Sequence, residues 1–356
     1  MEGKMKGFAM YEVNKTGWLE KDIPQIKPNE VLLRPIAVAC CTTDIKMVKG
    51  MFGPRTNRIL GHEAVAEVVE TGSMVKLFKP GDRVIVPAVV PEWGAIASQE
   101  GFPQHSNGEN GAWLYSNLID GVFSEYFACP EADANLIMLP DNILPEHATM
   151  LCDMVPPGFT SVELADVQFG DTVLVIGIGG VGLMAVAGAY MRGAGTIIAV
   201  GRRQITKDAA RKYGADYIID YTEGDIYEQV MQITGGQPVD CVCVCGGTAE
   251  SSYATAFRCV KPGGKIGSVI SIAATDKIVI SGEINPGMND KMIIGASMYT
   301  GRAKLGKLCK LMSSGKLDVS PLVTHVYHGW DGLEEAVRII TEKPDDLIKP
   351  VVVFDK

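Results

Sequence analysis

Thr172-Val-Leu-Val-Ile-Gly177-Ile-Gly179-Gly-Val-Gly182-Leu183 joins a short apolar, β-branched run to three spaced glycines and an apolar helical pattern, Leu183–Arg192. A strand that turns through G-x-G-x-x-G into a helix is the arrangement that cradles a dinucleotide. Gly177 permits the tight turn, Gly179 lets a pyrophosphate approach the backbone, and Gly182 lets helix and strand pack closely. Gly180 and Val181 open the helix, where free N–H groups and the helix dipole favour phosphate charge. Downstream, extended and helical patterns alternate. Thr196–Val200, Tyr217–Asp220, Asp240–Val244 and Lys265–Ile270 read as strands, and Ile205–Tyr213, Asp225–Thr234 and Ser251–Val260 as helices. Such alternation predicts an α/β unit, a doubly wound parallel sheet with helices on both faces. A glycine-rich turn of an unrelated α/β protein is the plainer account of the triplet, and the full series tells against it.

The residues after the second strand bear on which dinucleotide binds. NAD sites usually carry Asp or Glu there, to hold the ribose hydroxyls. Here the strand is followed by Gly201-Arg202-Arg203, with no acid. A small residue leaves room for a 2′-phosphate, and guanidinium groups pair with phosphate through two parallel bonds. Two solvated arginines opening a helix would look the same in sequence. The expectation is NADP(H).

Before this unit the chain reads as β-rich, with Glu30–Val38, Ala64–Glu70 and Arg83–Val86 as strands bounded by turn residues. Pro91–Asn117 is polar, carries Trp93 and Trp113, and reads as a long loop of the kind that is often functional. After Gly301 come a helix, a second helical pattern at Leu333–Ile340, and an extended run at Pro350–Phe354. At 356 residues, two domains are expected. The expected division is a β-rich domain over residues 1–156, completed by 298–356, with the dinucleotide domain 157–297 between them.

Composition excludes several classes. A formal net charge of −9 makes nucleic acid a poor partner. No apolar run of about 18 residues is free of charges and breakers, so no membrane span is expected. Met1–Met10 lacks the apolar core of a secretory signal, which predicts a cytoplasmic protein. The nine cysteines are odd in number and contain no C-x-x-C pair, which tells against disulfides and against a closed four-cysteine zinc site. Cys241-Val-Cys243-Val-Cys245 puts three thiols on one face of a buried strand, where packed small hydrophobes are the better account.

Gly61-His62-Glu63 lies between two β-rich segments, with Cys41 upstream and Asp153 downstream. A thiol, an imidazole and carboxylates are all groups that can bind a metal. Each residue alone has a bland account: a buried thiol, a satisfied histidine, a loop or cap aspartate. Spacing does not assemble them.

Several words in order do more. They are Met5-Lys-Gly-Phe-Ala-Met10, Cys41-Thr-Thr-Asp44, Ile59-Leu-Gly-His-Glu-Ala64, Lys79-Pro-Gly-Asp-Arg83, Asp120-Gly-Val-Phe123, Gly177–Leu183 and Leu347-Ile-Lys-Pro-Val351. Through them the chain resembles, over essentially its full length, the medium-chain zinc alcohol dehydrogenases. It is most similar to the bacterial and protozoan NADP-dependent secondary-alcohol dehydrogenases. The resemblance implies a β-rich GroES-like catalytic domain beside a Rossmann domain. It implies hydride transfer between NADP(H) and a small secondary or primary alcohol, its ketone or aldehyde, and a homotetramer with one catalytic zinc per chain. It puts the zinc ligands at Cys41 (not Cys40), His62, Glu63 and Asp153, with Glu63 leaving as substrate enters. It makes Thr43 the hydroxyl that passes the substrate's proton, adds Tyr221 to Arg203 around the NADP 2′-phosphate, and lines the alcohol pocket with Trp113. For Trp113, a loop anchor is the alternative.

The chain also departs from that pattern. Lys46 replaces the histidine that continues the proton relay, and Arg202 replaces a small polar residue. Ala66 stands where a glycine is common, and Pro156-Pro157 replaces a threonine pair. Ala296-Ser-Met-Tyr-Thr300 differs from the usual pocket segment, so the substrate need not resemble propan-2-ol. Two alternatives stay open: a zinc enzyme acting on a polyol or hydroxyketone, and a zinc-free, quinone-reductase-like NADPH-binding protein.

Overall fold

The structure, a computed structural model, describes residues 2–272, 276–278 and 288–354. Two compact units divide the chain: Met154–Met298, and Met1–Asp153 together with Tyr299–Lys356. The last two residues of that second unit, and Met1, lie outside the described residues.

In the central unit, six parallel strands form one sheet. Their spatial order is Tyr217–Ile219, Thr196–Val200, Thr172–Ile176, Val239–Val244, Val260–Ser268 and Met292–Gly295. Counted along the chain this is 3-2-1-4-5-6, the dinucleotide-binding order, in which the connections reverse direction between the first and fourth strands. Leu174, Val200, Val242 and Phe257 bury the apolar face that the sequence pattern required. The glycine turn leaves the sheet at this reversal point. Gly177 sits at φ +88, and a Cβ there would fall 2.5 Å from the Gly246 Cα, so both the conformation and the space demand glycine. A Cβ at Gly182 would fall 2.0 Å from the Gly177 carbonyl oxygen, which sets how closely the helix Gly180–Met191 packs on its strand.

Helix Val155–Leu164, which carries Pro156-Pro157, opens this unit and is not among the elements expected above. Both prolines occupy the first turn, where backbone N–H groups have no intrahelical acceptor to lose. Strand Met292–Gly295 was also missed.

Among its described residues, the other unit holds two sheets. Lys4–Glu12, Lys15–Asp22 and Arg58–Ile59 form the smaller. The larger has seven strands, with Lys349–Val353 antiparallel to Val31–Ala39, and Val31–Ala39 antiparallel to Ala64–Thr71. Its apolar side packs into one core with Leu33, Val38, Val84 and Phe123. The polar stretch Pro91–Asn117 carries only a helical turn at Ile96–Gln99 and a tighter one at Pro103–His105. Trp93 fastens it: the indole N–H donates to Asn135 at 2.9 Å, and the ring packs so close to Gly301 that a Cβ there would meet it at 2.3 Å. Among the described residues, no helix is long and apolar enough to cross a membrane.

Candidate active site and metal centre

Strand register builds the site. Val38 pairs with Ala64, and one step further the Ala39 N–H donates to the Glu63 carbonyl at 3.2 Å. Val351 pairs with Ala39, and the next residue's N–H, on Cys40, donates to the Pro350 carbonyl at 3.2 Å. Cys41, His62-Glu63 and Lys349 therefore emerge together from three adjacent strands. Gly61 makes the turn before His62 possible. It sits at φ +88, and a Cβ there would fall 2.2 Å from the Phe123 ring.

Cys41 is the N-cap of the short helix Thr42–Val48. Asp44, three residues on and 2% exposed, ties the two ligand-bearing loops together. One carboxylate oxygen accepts the Cys41 N–H at 2.9 Å; the other accepts the Gly61 N–H at 3.2 Å and lies 3.1 Å from His62 Nδ1. An acceptor at Nδ1 fixes a proton there and turns Nε2 toward the remaining groups, as second partners of metal-binding histidines do.

Those groups converge. Cys41, His62, Glu63 and Asp153 each offer one donor atom, all within 4.8 Å of one another. His62 Nε2 lies 3.6 Å from Glu63 and 3.8 Å from Asp153, and the Cys41 sulfur lies 3.6 Å from the same Asp153 oxygen. Burial pushes Glu63 up to about 8, even though Lys349 beside it pulls the other way. Burial opposes charge on His62 as well, yet Asp44 and the hydrogen bonds from Asp153, Asp44 and Cys41 raise it well above the usual imidazole range. Against its own burial, Asp153 is brought down to about 2 by the hydrogen bond and charge of His62. The protons that Glu63 and His62 retain in such a cluster are ones that a divalent cation displaces. Glu63 Oε2 is buried with no hydrogen-bond partner, a cost that a cation removes. The donor set fits zinc.

Thr43 is half-buried in the first turn of the helix that Cys41 caps, and Lys46 lies one turn on. Trp113 stands edge-on to His62 with ring centroids 6.3 Å apart, and edge-on to Phe52 at 5.0 Å. Its indole nitrogen is buried without a partner. Cys40 turns into the core. The remaining cysteines are free thiols outside this cluster. Burial pushes Cys241 and Cys245 up to about 12, as inert packed thiols should be.

The dinucleotide elements meet at the carboxyl ends of three neighbouring strands. The Gly177 and Ile178 N–H groups donate to the Val200 carbonyl at 3.1 and 3.2 Å, and the Gly201 N–H donates to Ile219 at 2.9 Å. A Cβ at Gly179 would project into open space, the gap a phosphate approaching the backbone needs. Gly180, Val181 and Gly182 form the first turn of helix Gly180–Met191. Arg203 is the half-buried N-cap of helix Gln204–Lys212, whereas Arg202 and Tyr221 are exposed. Asp220, next to Tyr221, is engaged by Lys207 at 2.6 Å and by Thr222, and these bonds hold it down to about 2. Gly201 is hemmed by Ile178, whose Cγ1 would lie 2.3 Å from an added Cβ, so any larger residue must displace that side chain.

Residues 27–141 match the alcohol dehydrogenase GroES-like domain, and residues 180–314 the zinc-binding dehydrogenase domain. The chain is 50% identical to an NADP-dependent isopropanol dehydrogenase of Entamoeba histolytica, across 99% of this chain and 97% of that protein. The chain belongs to the zinc-dependent alcohol dehydrogenases. It is therefore an oxidoreductase that moves hydride between an alcohol and a carbonyl compound. An NADP-dependent isopropanol dehydrogenase of Clostridium beijerinckii is 49% identical across 98% of this chain and all of that one. Among solved structures, the zinc dependent alcohol dehydrogenase 2 from Streptococcus pneumonia superposes with a TM-score of 0.88 at 24% identity, covering 99% of each chain. That likeness speaks for the fold.

Two residues of the cluster, Asp44 and Lys349, were not expected from sequence, though both lie in motifs that carry the resemblance. Asp44 carried a signal, an acid at the third position of a helix with a cap before it. Lys349 carried a fainter one, a lone lysine in an apolar run.

Proposed function

We propose that this chain is an NADP(H)-dependent dehydrogenase of small secondary alcohols, holding one zinc at Cys41, His62, Asp153 and, exchangeably, Glu63. The observation that carries the reading is the convergence of four donor atoms within 4.8 Å in a buried site. When bound, zinc supplies a Lewis acid for the substrate oxygen, and the nicotinamide gives or takes the hydride. The residues do the rest. Asp44 keeps the His62 proton on Nδ1. Thr43 accepts the alcohol's proton while passing its own hydroxyl proton on to solvent, and the relay runs the other way when a ketone is reduced, with Lys46 outside that path. Trp113 walls the substrate pocket. Gly177, Gly179, Gly180, Val181 and Gly182 offer backbone to the pyrophosphate, while Gly201, Arg203 and Tyr221 enclose the 2′-phosphate and Arg202 stacks over the adenine. The reading includes a cytoplasmic homotetramer, whose mass light scattering of the purified protein would test.

Dialysed protein is expected to hold about one equivalent of zinc per chain, the open catalytic ion alone. Two equivalents, or none with turnover intact, would contradict the assignment. A panel of alcohols and ketones tests the substrate class: a polyol or hydroxyketone with a kcat/KM above every small secondary alcohol would overturn it.

Cofactor choice gives a second expected result. Charge-assisted bonds to phosphate are worth about 1.5–3 kcal/mol each, or tenfold to a hundredfold in affinity. kcat/KM should favour NADP⁺ over NAD⁺ by at least about tenfold, and Arg203→Ala should erase most of that ratio. Equal use of both cofactors by the unaltered enzyme would reduce the arginines to surface groups. An acid at Gly201 is the less clean test, because its Cβ collides with Ile178.

A further inference from the structure

We propose that Lys349 is a positioning residue that makes Glu63 the exchangeable member of the donor set, an inference that rests on the metal reading above. The Lys349 ammonium lies 2.5 Å from Glu63 Oε1, and that same oxygen lies 3.6 Å from His62 Nε2. The carboxylate oxygen that faces the donor cluster is thus the one the ammonium holds. Both side chains are buried, at 3% and 0% exposure, where opposite charges attract far more strongly than on a surface. A metal ion bound through either Glu63 oxygen shares that carboxylate's charge with Lys349, which holds Oε1. Asp153 bears no such division: among the described residues, its one ion-pair partner within 4.0 Å is His62.

The two carboxylates therefore differ as ligands. Asp153 gives its charge to the metal, and Glu63 divides its charge between two cations. Of the pair, Glu63 is the ligand that yields when a substrate oxygen arrives. Lys349 also supplies the place to which it yields, because a carboxylate leaving the metal here would otherwise be an unpaired buried charge. Strand register fixes this arrangement across 286 residues of sequence, since Lys349 begins the strand that pairs beside Cys41.

The test follows zinc transfer from the loaded protein to a colorimetric chelator, alongside KM for the alcohol. Lys349→Met leaves the metal as the only cation beside Glu63. It should slow zinc release and raise KM, each by about tenfold, the scale on which outer partners of metal ligands act. Adding Glu63→Gln should restore fast release, which a lysine that merely ties strands together would not allow. Zinc release that is unchanged or faster in folded Lys349→Met overturns the inference. If that variant fails to fold, Lys349→Arg keeps the charge and its fork takes both carboxylate oxygens, so zinc should leave faster than from the unaltered protein. Release unchanged or slower in Lys349→Arg overturns the inference equally. Unaltered protein that holds no zinc overturns the metal reading itself, whereas zinc held but indifferent to Lys349 overturns this inference alone.

Discussion

Thr43→Val is expected to lower kcat by about 10²–10⁴-fold while leaving zinc in place, the range a positioned proton-transfer group contributes. Valine keeps the β-branched shape and removes only the hydroxyl, so the first turn of helix Thr42–Val48 and its Cys41 cap should persist. The loss should fall on kcat more than on KM, because the hydroxyl matters when the proton moves. Lys46→Met, one turn further along, should stay within a few-fold of the unaltered enzyme. Turnover close to normal in Thr43→Val would mean that the proton passes straight to water.

Cys41→Ser and Cys40→Ser form the second test, two neighbours with opposite expected outcomes. The Cys41 sulfur lies 3.6 Å from Asp153, inside the donor set. The Cys40 side chain is fully buried in the core, and burial raises its thiol well above the usual range. Cys41→Ser removes the one soft ligand and should lose zinc and turnover together. Cys40→Ser should keep both and lower stability by about 1–3 kcal/mol, the effect of burying an uncompensated hydroxyl. Metal content measured on the two purified variants separates them, and the reverse pattern would move the ligand to Cys40.

How far the chain could be read without coordinates depended on range. The dinucleotide half was legible because its signals are local: Thr172–Ile176 and Thr196–Val200 were read with the observed ends, and Gly177–Gly182 supplied the turn between strand and helix. The hairpin Lys4–Glu12 with Lys15–Asp22 went unread. Its first strand alternates only over Lys4–Gly7 and then buries Phe8, Ala9 and Met10 in succession, which breaks the pattern. The donor cluster spans 112 residues from Cys41 to Asp153, and only resemblance could assemble it, because spacing along a chain says nothing about which strands pair. Lys349 shows the limit best. Its partner is fixed by the register of two strand pairings that no local pattern encodes.

The central claim is that one zinc is held by a single sulfur, a single imidazole and carboxylate oxygen. X-ray absorption at the zinc edge of the loaded protein tests it most directly. One sulfur scatterer at about 2.3 Å, with nitrogen and oxygen near 2.0–2.2 Å, is the result expected for Cys41, His62, Asp153 and Glu63. A shell of two or more sulfurs, or of none, would contradict it.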